Sequence, residues 1–260
     1  MTGGSGGAGG TGRAGGGGRR TAVVTGAAGG LGRVFAVALA SRGIAVAGID
    51  VADCGPVGHA VAAAGGQFTG IRADLTDPEA AAAAIDSAAA QLGRLDILVN
   101  NAGLFPVIPF EETTPAQWRG IMSLNLDGLF YVTRAALPWL KQSPAGRIVN
   151  IASAVVWLGP PGMVAYTASK AGVIGFTRAL STELGPSGIT VNAITPSMIP
   201  TPTAVRTGVT RDLDRVVAGQ SVPRAQRPED LITTLLYLCD PGSSFVTGAA
   251  INVDGGHAKH

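Results

Sequence analysis

Three polar side chains in the second half of the sequence have the types and spacing of an acid–base centre. Tyr166 and Lys170 are four residues apart in Tyr-Thr-Ala-Ser-Lys, so a helix would project both from one face. An ammonium near a phenol favours the phenolate, and it therefore lowers the phenol pKa from its ordinary value of about 10. Ser153 lies shortly before this segment and has a hydroxyl that could hold a substrate oxygen. These residue types favour proton exchange with an alcohol or a ketone, with Tyr166 as the general acid and base.

A glycine-rich turn early in the chain has the character of a phosphate-binding loop. Residues 25–32 read Thr-Gly-Ala-Ala-Gly-Gly-Leu-Gly and join a short apolar run to a helical pattern. Glycines let the backbone approach a pyrophosphate closely, and free N–H groups at the start of the helix attract its charge. The spacing is neither Gly-x-Gly-x-x-Gly nor a Walker A loop, so a purely structural turn stays open at this point. The candidate cofactor contacts are Gly26, Gly30, Leu31 and Gly32.

Two acidic residues stand at the ends of the second and third apolar runs. A carboxylate at Asp50 could accept hydrogen bonds from both adenosine ribose hydroxyls, and it would repel a 2′-phosphate. Neither Gly29 nor Val51 supplies a basic side chain for such a phosphate, so the pattern predicts NAD rather than NADP. Asp74, followed by Leu75, is the candidate contact for the adenine. A solvated carboxylate for Asp50 and a capping or turn role for Asp74 are the structural alternatives.

Short apolar runs alternate with longer helical patterns along the rest of the chain. The runs are nearly continuous in apolar residues, as in parallel strands buried on both faces, and cover residues 21–25, 44–50, 67–73, 96–100, 147–153, 189–194 and 249–253. The helical patterns cover residues 30–42, 77–92, 115–141, 165–184 and 228–239. This alternation predicts one α/β domain with a doubly wound parallel sheet of Rossmann type and helices on both faces.

The composition limits the domain organisation and the partners. Hydrophobic residues make up 46% of the 260 residues and charged residues 14%, which suits a single catalytic domain over residues 20–260. Residues 1–19 are mostly glycine and are expected to form a disordered, flexible tail. The net charge of +2, without a run of Lys and Arg, gives no reason to expect nucleic acid as a partner. No apolar stretch is long enough to predict a membrane span.

Cysteines and histidines are too few and too scattered to predict a metal site. Cys54 and Cys239 form no CxxC pair, and two free thiols are typical of a reducing compartment, here the cytoplasm. The three histidines show no zinc-ligand spacing. A serine hydrolase built on Ser153 would need a nearby histidine and a Gly-x-Ser-x-Gly turn, and the sequence offers neither.

Several motifs in a fixed order resemble the short-chain dehydrogenase/reductase family over about residues 20–260. They are the glycine loop, Asn-Asn-Ala-Gly at 100–103, Ser-Leu-Asn-Leu-Asp at 123–127, Ser153, Tyr-Thr-Ala-Ser-Lys at 166–170 and Asn-Val-Asp-Gly-Gly at 252–256. The resemblance implies a catalytic tetrad of Asn125, Ser153, Tyr166 and Lys170. It implies that Asn125 bends its helix and holds a water that relays protons to Lys170. It also implies a sheet of about seven strands and a homotetramer.

The same resemblance implies further contacts with a nicotinamide cofactor. Besides Tyr166 and Lys170, the implied contacts are Asn101, Ala102, Gly103, Pro196, Ile199 and Thr201. Two positions depart from the usual family pattern. Ser197 follows Pro196 where the family usually has glycine, and Gln226 replaces a glycine that often precedes Pro-Glu. The backbone at 196–197 is expected to approach the nicotinamide amide. Because Ser197 stands where the family usually has glycine, the backbone of this loop is expected to have less conformational freedom.

A narrower set of segments is similar to NAD-dependent 1-phenylethanol dehydrogenases. These segments are residues 101–110, 195–198, 223–228 and the ending Asp-Gly-Gly-His-Ala-Lys-His. Both departures recur in that group, so activity is expected in spite of them. The similarity implies a hydrophobic secondary alcohol or ketone with an aryl ring as substrate. The candidate pocket residues are Phe105, Val155, Trp157, Met163 and Met198.

Residues 201–221 are expected to form a lid over this pocket. Its arginines at 206, 211 and 215 could bind an anionic group, so a substrate with a carboxylate or a thioester-phosphate remains an alternative. A 3-oxoacyl-thioester reductase is the rival activity, although that activity normally prefers NADP, which Asp50 disfavours. A non-catalytic dinucleotide-binding protein on the same fold is the other alternative, against which the four tetrad side chains argue.

Overall fold

Seven strands form one parallel sheet in the computed structural model, which describes residues 18–259. The strands are β1 (Thr21–Thr25), β2 (Ala45–Asp50), β3 (Phe68–Arg72), β4 (Ile97–Asn100), β5 (Arg147–Ile151), β6 (Thr190–Pro196) and β7 (Ala250–Val253). Their order across the sheet is β3-β2-β1-β4-β5-β6-β7, and every neighbouring pair is parallel. The predicted doubly wound sheet is therefore confirmed. Residues 1–17, most of the predicted tail, lie outside the described residues.

The helices cover both faces of this sheet. They are α1 (Gly30–Ala40), α2 (Gly55–Ala63), α3 (Pro78–Leu92), α4 (Pro115–Met122), α5 (Gly128–Leu140), α6 (Val155–Leu158), α7 (Val164–Leu184), α8 (Pro202–Arg206), α9 (Leu213–Gly219) and α10 (Ile232–Cys239). Side chains of α1, α2 and α10 pack in one apolar cluster, and those of α3 and α5 pack in another on the opposite side. No helix between residues 18 and 259 has the length and apolar character required to cross a bilayer.

The strand order creates a crevice where the site is expected. Consecutive strands proceed from β1 to β3 in one direction, and the chain then returns to place β4 on the other side of β1. Helices therefore diverge to opposite faces at the carboxyl ends of β1 and β4. Ligands of open α/β sheets bind at such a switch point.

The structure differs from the sequence prediction at several places, and the helices α2, α6, α8 and α9 all lie outside the predicted helical patterns. Helix α2 was not predicted, because glycine and proline interrupt its pattern; buried Val57 and Val61 hold it against the core. The pattern over 115–141 is two α-helices joined by a π-helical turn at Ser123–Asp127. β3 and β5 also end two residues before Asp74 and Ser153, so both side chains lie in loops beyond their strands.

Candidate active site

A cavity of about 1290 Å³ opens at the carboxyl ends of the strands, large enough for a dinucleotide together with a small substrate. Most of the predicted site residues line it: Gly26, Gly30, Leu31, Asp50, Asp74, Leu75, Asn101, Ala102, Gly103, Phe105, Ser153, Val155, Met163, Tyr166, Lys170, Pro196, Met198, Ile199 and Thr201. Three predicted residues are absent from its described lining: Gly32, Asn125 and Trp157.

The glycine loop leaves room for a ligand and packs tightly on its other side. Gly26 has a φ of +63°, and a Cβ there would lie 2.9 Å from the Ala102 Cα. A Cβ on Gly32 would lie 2.1 Å from the Gly26 carbonyl oxygen, so Gly32 serves the packing of the loop on α1. Gly29 caps α1 without a side-chain hydrogen bond, which leaves first-turn N–H groups available to a phosphate.

Asp50 is fixed by the loops on either side of it. Its Oδ2 accepts a hydrogen bond from the Ala28 N–H at 2.9 Å, and its Oδ1 accepts one from the Ala52 N–H at 3.0 Å. Each carboxylate oxygen keeps further acceptor capacity toward the cavity that Asp50 lines. This arrangement, with the open helix terminus and the cavity volume, fits the adenosine half and the diphosphate of a nicotinamide dinucleotide.

Asp74 lines the same cavity but closes a turn of its own chain. Its Oδ1 accepts hydrogen bonds from the Thr76 N–H at 2.9 Å and the Thr76 hydroxyl at 2.7 Å. These bonds hold the pKa of Asp74 below its ordinary value. The hydrogen bonds of Asp74 are therefore those of the turn role that the sequence analysis gave as its structural alternative. The contact with adenine stays a prediction.

Thr25, a residue that the sequence analysis passed over, positions the loop after β4. Its hydroxyl oxygen accepts from the N–H groups of Asn101 and Ala102 at 3.0 and 3.1 Å. The Asn101 side chain in turn donates to the Thr25 and Gly26 carbonyls at 2.9 and 3.1 Å. The two loops that border the cavity are thereby locked to each other.

Asn125 sits in the π-helical turn and clamps the next part of that loop. Its Oδ1 accepts from the Leu104 N–H at 2.7 Å, and its Nδ2 donates to the Leu104 carbonyl at 2.8 Å. The second Nδ2 proton bonds the Ser169 hydroxyl at 3.0 Å. The structure thus shows a change of helical geometry at Asn125, whereas a water relay from it to Lys170 stays a prediction.

Ser153, Tyr166 and Lys170 come together at the wall of the cavity. The Ser153 side chain lies close enough to the Tyr166 phenol to lower its pKa, and the Lys170 Nζ lies 5.8 Å from the centre of the Tyr166 ring. The Nζ donates to the Ile151 carbonyl at 2.8 Å, at the end of β5. Tyr166 and Lys170 share one face of α7, as their spacing predicts.

The acid–base properties differ from the sequence prediction. Burial raises the pKa of Tyr166 to about 12, against a smaller lowering by the Ser153 hydrogen bond. Burial also lowers the pKa of Lys170 to about 8. The Lys170 ammonium alone therefore does not lower the phenol pKa, and a lowering by the ammonium together with the positive nicotinamide of an oxidised cofactor stays a prediction. The physical reason is that desolvation disfavours both charged forms, and Lys170 bonds a carbonyl rather than the phenol.

Four of the five predicted pocket residues lie beside this centre. Phe105 meets the Tyr166 ring edge to face, with ring centres 6.5 Å apart, and Val155, Met163 and Met198 line the same cavity. Trp157 does not line it, because α6 turns this side chain toward the apolar cluster that contains Leu129 and Val173.

The two departures from the family pattern contact each other. The Gln226 Oε1 accepts from the Ser197 N–H at 2.8 Å, and the Gln226 Nε2 donates to the Val253 carbonyl. The Ser197 hydroxyl bonds the Gln220 side chain at 3.2 Å. The loop after β6 is therefore held by side chains of a distant segment.

Sequence reasoning placed no histidine near this site, but the structure brings His257 to the cavity wall. Its ring lies against Gly219 at the end of α9. Two of the three lid arginines, Arg206 and Arg215, also line the cavity, whereas Arg211 lies against Gly208. The signal for His257 would have been the Gly-Gly pair before it, which lets the chain fold back under the lid.

Comparisons with known proteins agree with this architecture. Residues 26–258 match a family model described as enoyl-(acyl carrier protein) reductase. The cis-4-hydroxycyclohexanecarboxylate dehydrogenase of Sinomonas cyclohexanicum is 39% identical over 241 residues, which are 92% of this chain and 96% of the relative. The chain belongs to the short-chain dehydrogenase/reductase family. It is an oxidoreductase of that family, whose fold binds a nicotinamide dinucleotide.

Other members of the family show how widely its substrates and cofactors vary. The 3-oxoacyl-[acyl-carrier-protein] reductase of a Synechocystis strain is 34% identical, over 91% of this chain and 96% of its own length. A solved structure from Beutenbergia cavernae, described as a putative NAD(P)-dependent gluconate 5-dehydrogenase with bound NADP, has a TM-score of 0.86 and 36% identity. That match covers 92% of this chain and 96% of the other. Family membership therefore leaves the substrate and the choice between NAD and NADP to the residues of this chain.

Proposed function

We propose that this oxidoreductase transfers a hydride between NAD(H) and a hydrophobic secondary alcohol or its ketone, with Tyr166 as the acid and base. The observation that carries the proposal is the contact of the Ser153 hydroxyl with the Tyr166 phenol, near the Lys170 ammonium, at the wall of the large cavity. A non-catalytic dinucleotide-binding protein would have no need of this arrangement.

Each polar side chain has a separate task in this proposal. The bound nicotinamide supplies the acceptor or donor of the hydride. Ser153 holds the substrate oxygen toward Tyr166, and Tyr166 gives its proton to a ketone or takes one from an alcohol. A pKa of about 12 keeps the phenol protonated at neutral pH, which suits ketone reduction. Oxidation is expected to accelerate as the pH rises.

The preference for NAD rests on Asp50. Its carboxylate is held by two backbone N–H groups at the end of β2 and lines the cavity. A 2′-phosphate brought to that position would meet a fixed negative charge. Asp50 therefore supports NAD over NADP.

The substrate is expected to have an apolar body with an aryl ring. Phe105, Val155, Met163 and Met198 surround the Tyr166 side of the cavity, and such walls offer few partners to a polar substrate. The similarity to 1-phenylethanol dehydrogenases points to the same class. One relative acts on a hydroxycyclohexanecarboxylate, which also joins a secondary alcohol to a carbocyclic ring.

The test is oxidation of 1-phenylethanol by the purified protein, followed by the absorbance of reduced nicotinamide, with NAD and NADP in parallel. We expect turnover with NAD and little with NADP. A 3-hydroxyacyl thioester serves as the rival substrate. If the thioester were preferred by about tenfold in kcat/KM, or if no alcohol were oxidised while NAD bound, the proposal would be wrong.

We also propose a homotetramer, as the family resemblance implies. Phe130 on α5 is 43% exposed, whereas its neighbour Leu129 is buried and Phe176 on α7 packs against the same cluster as Leu129. Exposed aromatic rings of this size are typical of interfaces. Light scattering at micromolar concentration checks the assembly, and a monomer would contradict it.

A further inference from the structure

The lid carries two cations toward the cavity without carboxylate partners. Arg206 on α8 and Arg215 on α9 both line the cavity. Within residues 18–259 the ion pairs are Arg94–Asp96 and Arg224–Asp230, so neither lid arginine has a carboxylate within 4 Å. Asp212 lines the cavity too, but it stays beyond that distance from both guanidinium groups. A guanidinium is a fork of donors that matches a carboxylate or a phosphate.

The two arginines lie on helices that contact different loops of the cavity. Helix α8 begins beside the glycine loop, since a Cβ on Gly30 would lie 2.8 Å from the Thr201 side chain. Arg206 therefore belongs to the half of the lid next to the diphosphate position. Helix α9 instead ends beside the loop after β6, where the Gln220 side chain bonds Ser197 at 3.2 Å.

Arg215 lies on the same face of α9 as Gly219, the residue that His257 contacts. Arg215 and Gly219 are one helical turn apart on α9, and both line the cavity. The His257 Nε2 would be 2.9 Å from a Cβ at Gly219, so the imidazole lies directly beneath this face. Because the next residue after Ser197 is the pocket residue Met198, this polar pair lies at the substrate end of the cavity.

His257 is held in place and has bonding capacity to spare. The tail that carries it is fixed by the Asp254 carboxylate, which accepts from the N–H groups of Gly256 and Ala258 at 3.0 and 2.8 Å. The His257 Nδ1 is buried without a hydrogen-bond partner. A buried polar atom without a partner is destabilising, and such atoms concentrate where a ligand or an ion completes the site.

We infer that Arg215, supported by His257, binds a carboxylate on the substrate at the end away from the reacting carbon. The inference rests on the proposed function, which supplies the alcohol and its apolar body, and it narrows the substrate class to a hydrophobic hydroxy acid. The apolar walls hold the body, Tyr166 and Ser153 hold the hydroxyl, and the guanidinium holds the acid group.

The test compares substrates that differ only at the acid group. 4-(1-Hydroxyethyl)benzoate, its methyl ester and 1-phenylethanol have the same reacting carbon. We expect kcat/KM for the acid to exceed that for the two neutral alcohols by about tenfold or more, because charge-assisted hydrogen bonds are the strong ones. Arg215→Gln is expected to remove this preference, mainly through KM, and Arg215→Lys to restore part of it.

Arg211→Gln is the matched control, because Arg211 lies on the same lid but faces Gly208 rather than the cavity. It is expected to leave the preference unchanged. Calorimetry with NAD and the ketones 4-acetylbenzoate and acetophenone measures binding without turnover. The original protein should bind 4-acetylbenzoate about tenfold more tightly than acetophenone. The Arg215→Gln variant should bind the two ketones with equal affinity.

Each other outcome has a definite meaning. Equal kcat/KM for acid and neutral alcohols would overturn the inference and leave the proposed function standing. Weaker NAD binding by Arg215→Gln with an unchanged acid preference would assign the guanidinium to the diphosphate and also overturn it. Absence of turnover with all three alcohols would defeat the proposed function, and the calorimetric comparison would still decide whether Arg215 binds the carboxylate.

Discussion

Two buried cations, Arg147 and Lys170, lie at opposite ends of strand β5, and their surroundings differ in a way that separates structure from function. Arg147 is the first residue of the strand and is 1% exposed, whereas Lys170 is 5% exposed and bonds the carbonyl of Ile151, the last residue. Both charges have lost water, which is unfavourable unless polar partners replace it. The two cations differ in how many of their lost hydrogen bonds to water are replaced by hydrogen bonds to the protein.

The partners of Arg147 use every nitrogen of its guanidinium. Its Nε, Nη1 and Nη2 donate to the carbonyls of Asp240, Gly146 and Pro241 at 3.2, 2.8 and 3.0 Å. Two of these acceptors follow the end of α10, where the helix dipole favours a positive charge. Burial lowers the pKa of Arg147, but a guanidinium remains charged at any ordinary pH. This cation joins two elements through all three of its nitrogens, and it lies at the end of β5 away from the cavity.

Lys170 has three N–H donors and a single hydrogen-bond acceptor among the described residues, the Ile151 carbonyl. Its Nζ lies 5.8 Å from the centre of the Tyr166 ring, and Lys170 lines the cavity. The site therefore carries an incompletely solvated charge at the carboxyl end of the strand, where a substrate and a cofactor can complete it. The comparison predicts that changes at Arg147 affect stability, and that changes around Lys170 affect activity.

The largest effect is expected for Tyr166→Phe. The ring still packs against Phe105, but the transferable proton is lost, so turnover should fall on the order of a hundredfold or more. NAD binding, measured by calorimetry, should stay nearly the same. Tyr237→Phe, on the exposed side of α10, is the control and should keep full activity. Near-normal turnover by the Tyr166 variant would show that another group moves the proton.

Arg147→Met should destabilise the fold by about 3 kcal/mol, since three buried carbonyls lose their donor. Urea unfolding measures the free energy, with the exposed Arg42→Met as the control. The activity per folded molecule should be unchanged. A variant that stayed fully stable but lost activity would reverse the contrast between the two ends of β5.

Lys170→Met should change how stability depends on pH. The pKa of Lys170 is about 8 in the folded chain and about 10.5 when exposed, so the unfolded chain binds more protons between these values. The free energy of unfolding contributed by Lys170 therefore rises with pH across this window, by about 1.5 kcal/mol between about pH 8 and pH 9.5. The Met variant should lack this rise.

Lys141→Met, at an exposed position after α5, is the control for that measurement and should follow the original protein. Taking the difference between variants removes the effect of other groups that titrate at high pH. If the difference in free energy of unfolding between the Lys170 variant and the original protein did not change with pH, the ammonium would be solvated in the folded state.

The smallest effect is expected for Asp50→Ala. Removal of the carboxylate should narrow the preference for NAD over NADP by about tenfold, because the repulsion of a 2′-phosphate is lost. Steady-state kinetics with both cofactors measure the ratio. Asp53→Ala, whose carboxylate accepts from the Gly55 N–H and does not line the described cavity, should leave the ratio unchanged. Better efficiency with NADP in the original protein would contradict the proposed role of Asp50.

The sequence by itself determined the features that repeat along one element. Near-continuous apolar runs predicted the parallel strands, and the spacing of Tyr166 and Lys170 placed both on one face of α7, because helical periodicity is a local property. The glycine loop and Asp50 were located for the same reason, since each lies at the end of a strand that its own residues define. Helix α2 escaped prediction because its glycines and proline hide that periodicity, and only packing of Val57 and Val61 stabilises it.

The tertiary structure alone decided the contacts between distant segments and the charges that depend on them. Burial set the pKa values of Tyr166 and Lys170 in a way that residue spacing could not reveal. Packing turned Trp157 away from the cavity, and it joined Gln226 to Ser197 across 29 residues. It also brought His257 beneath the lid. Such contacts arise from how the elements pack in three dimensions, and no local period along the chain records them.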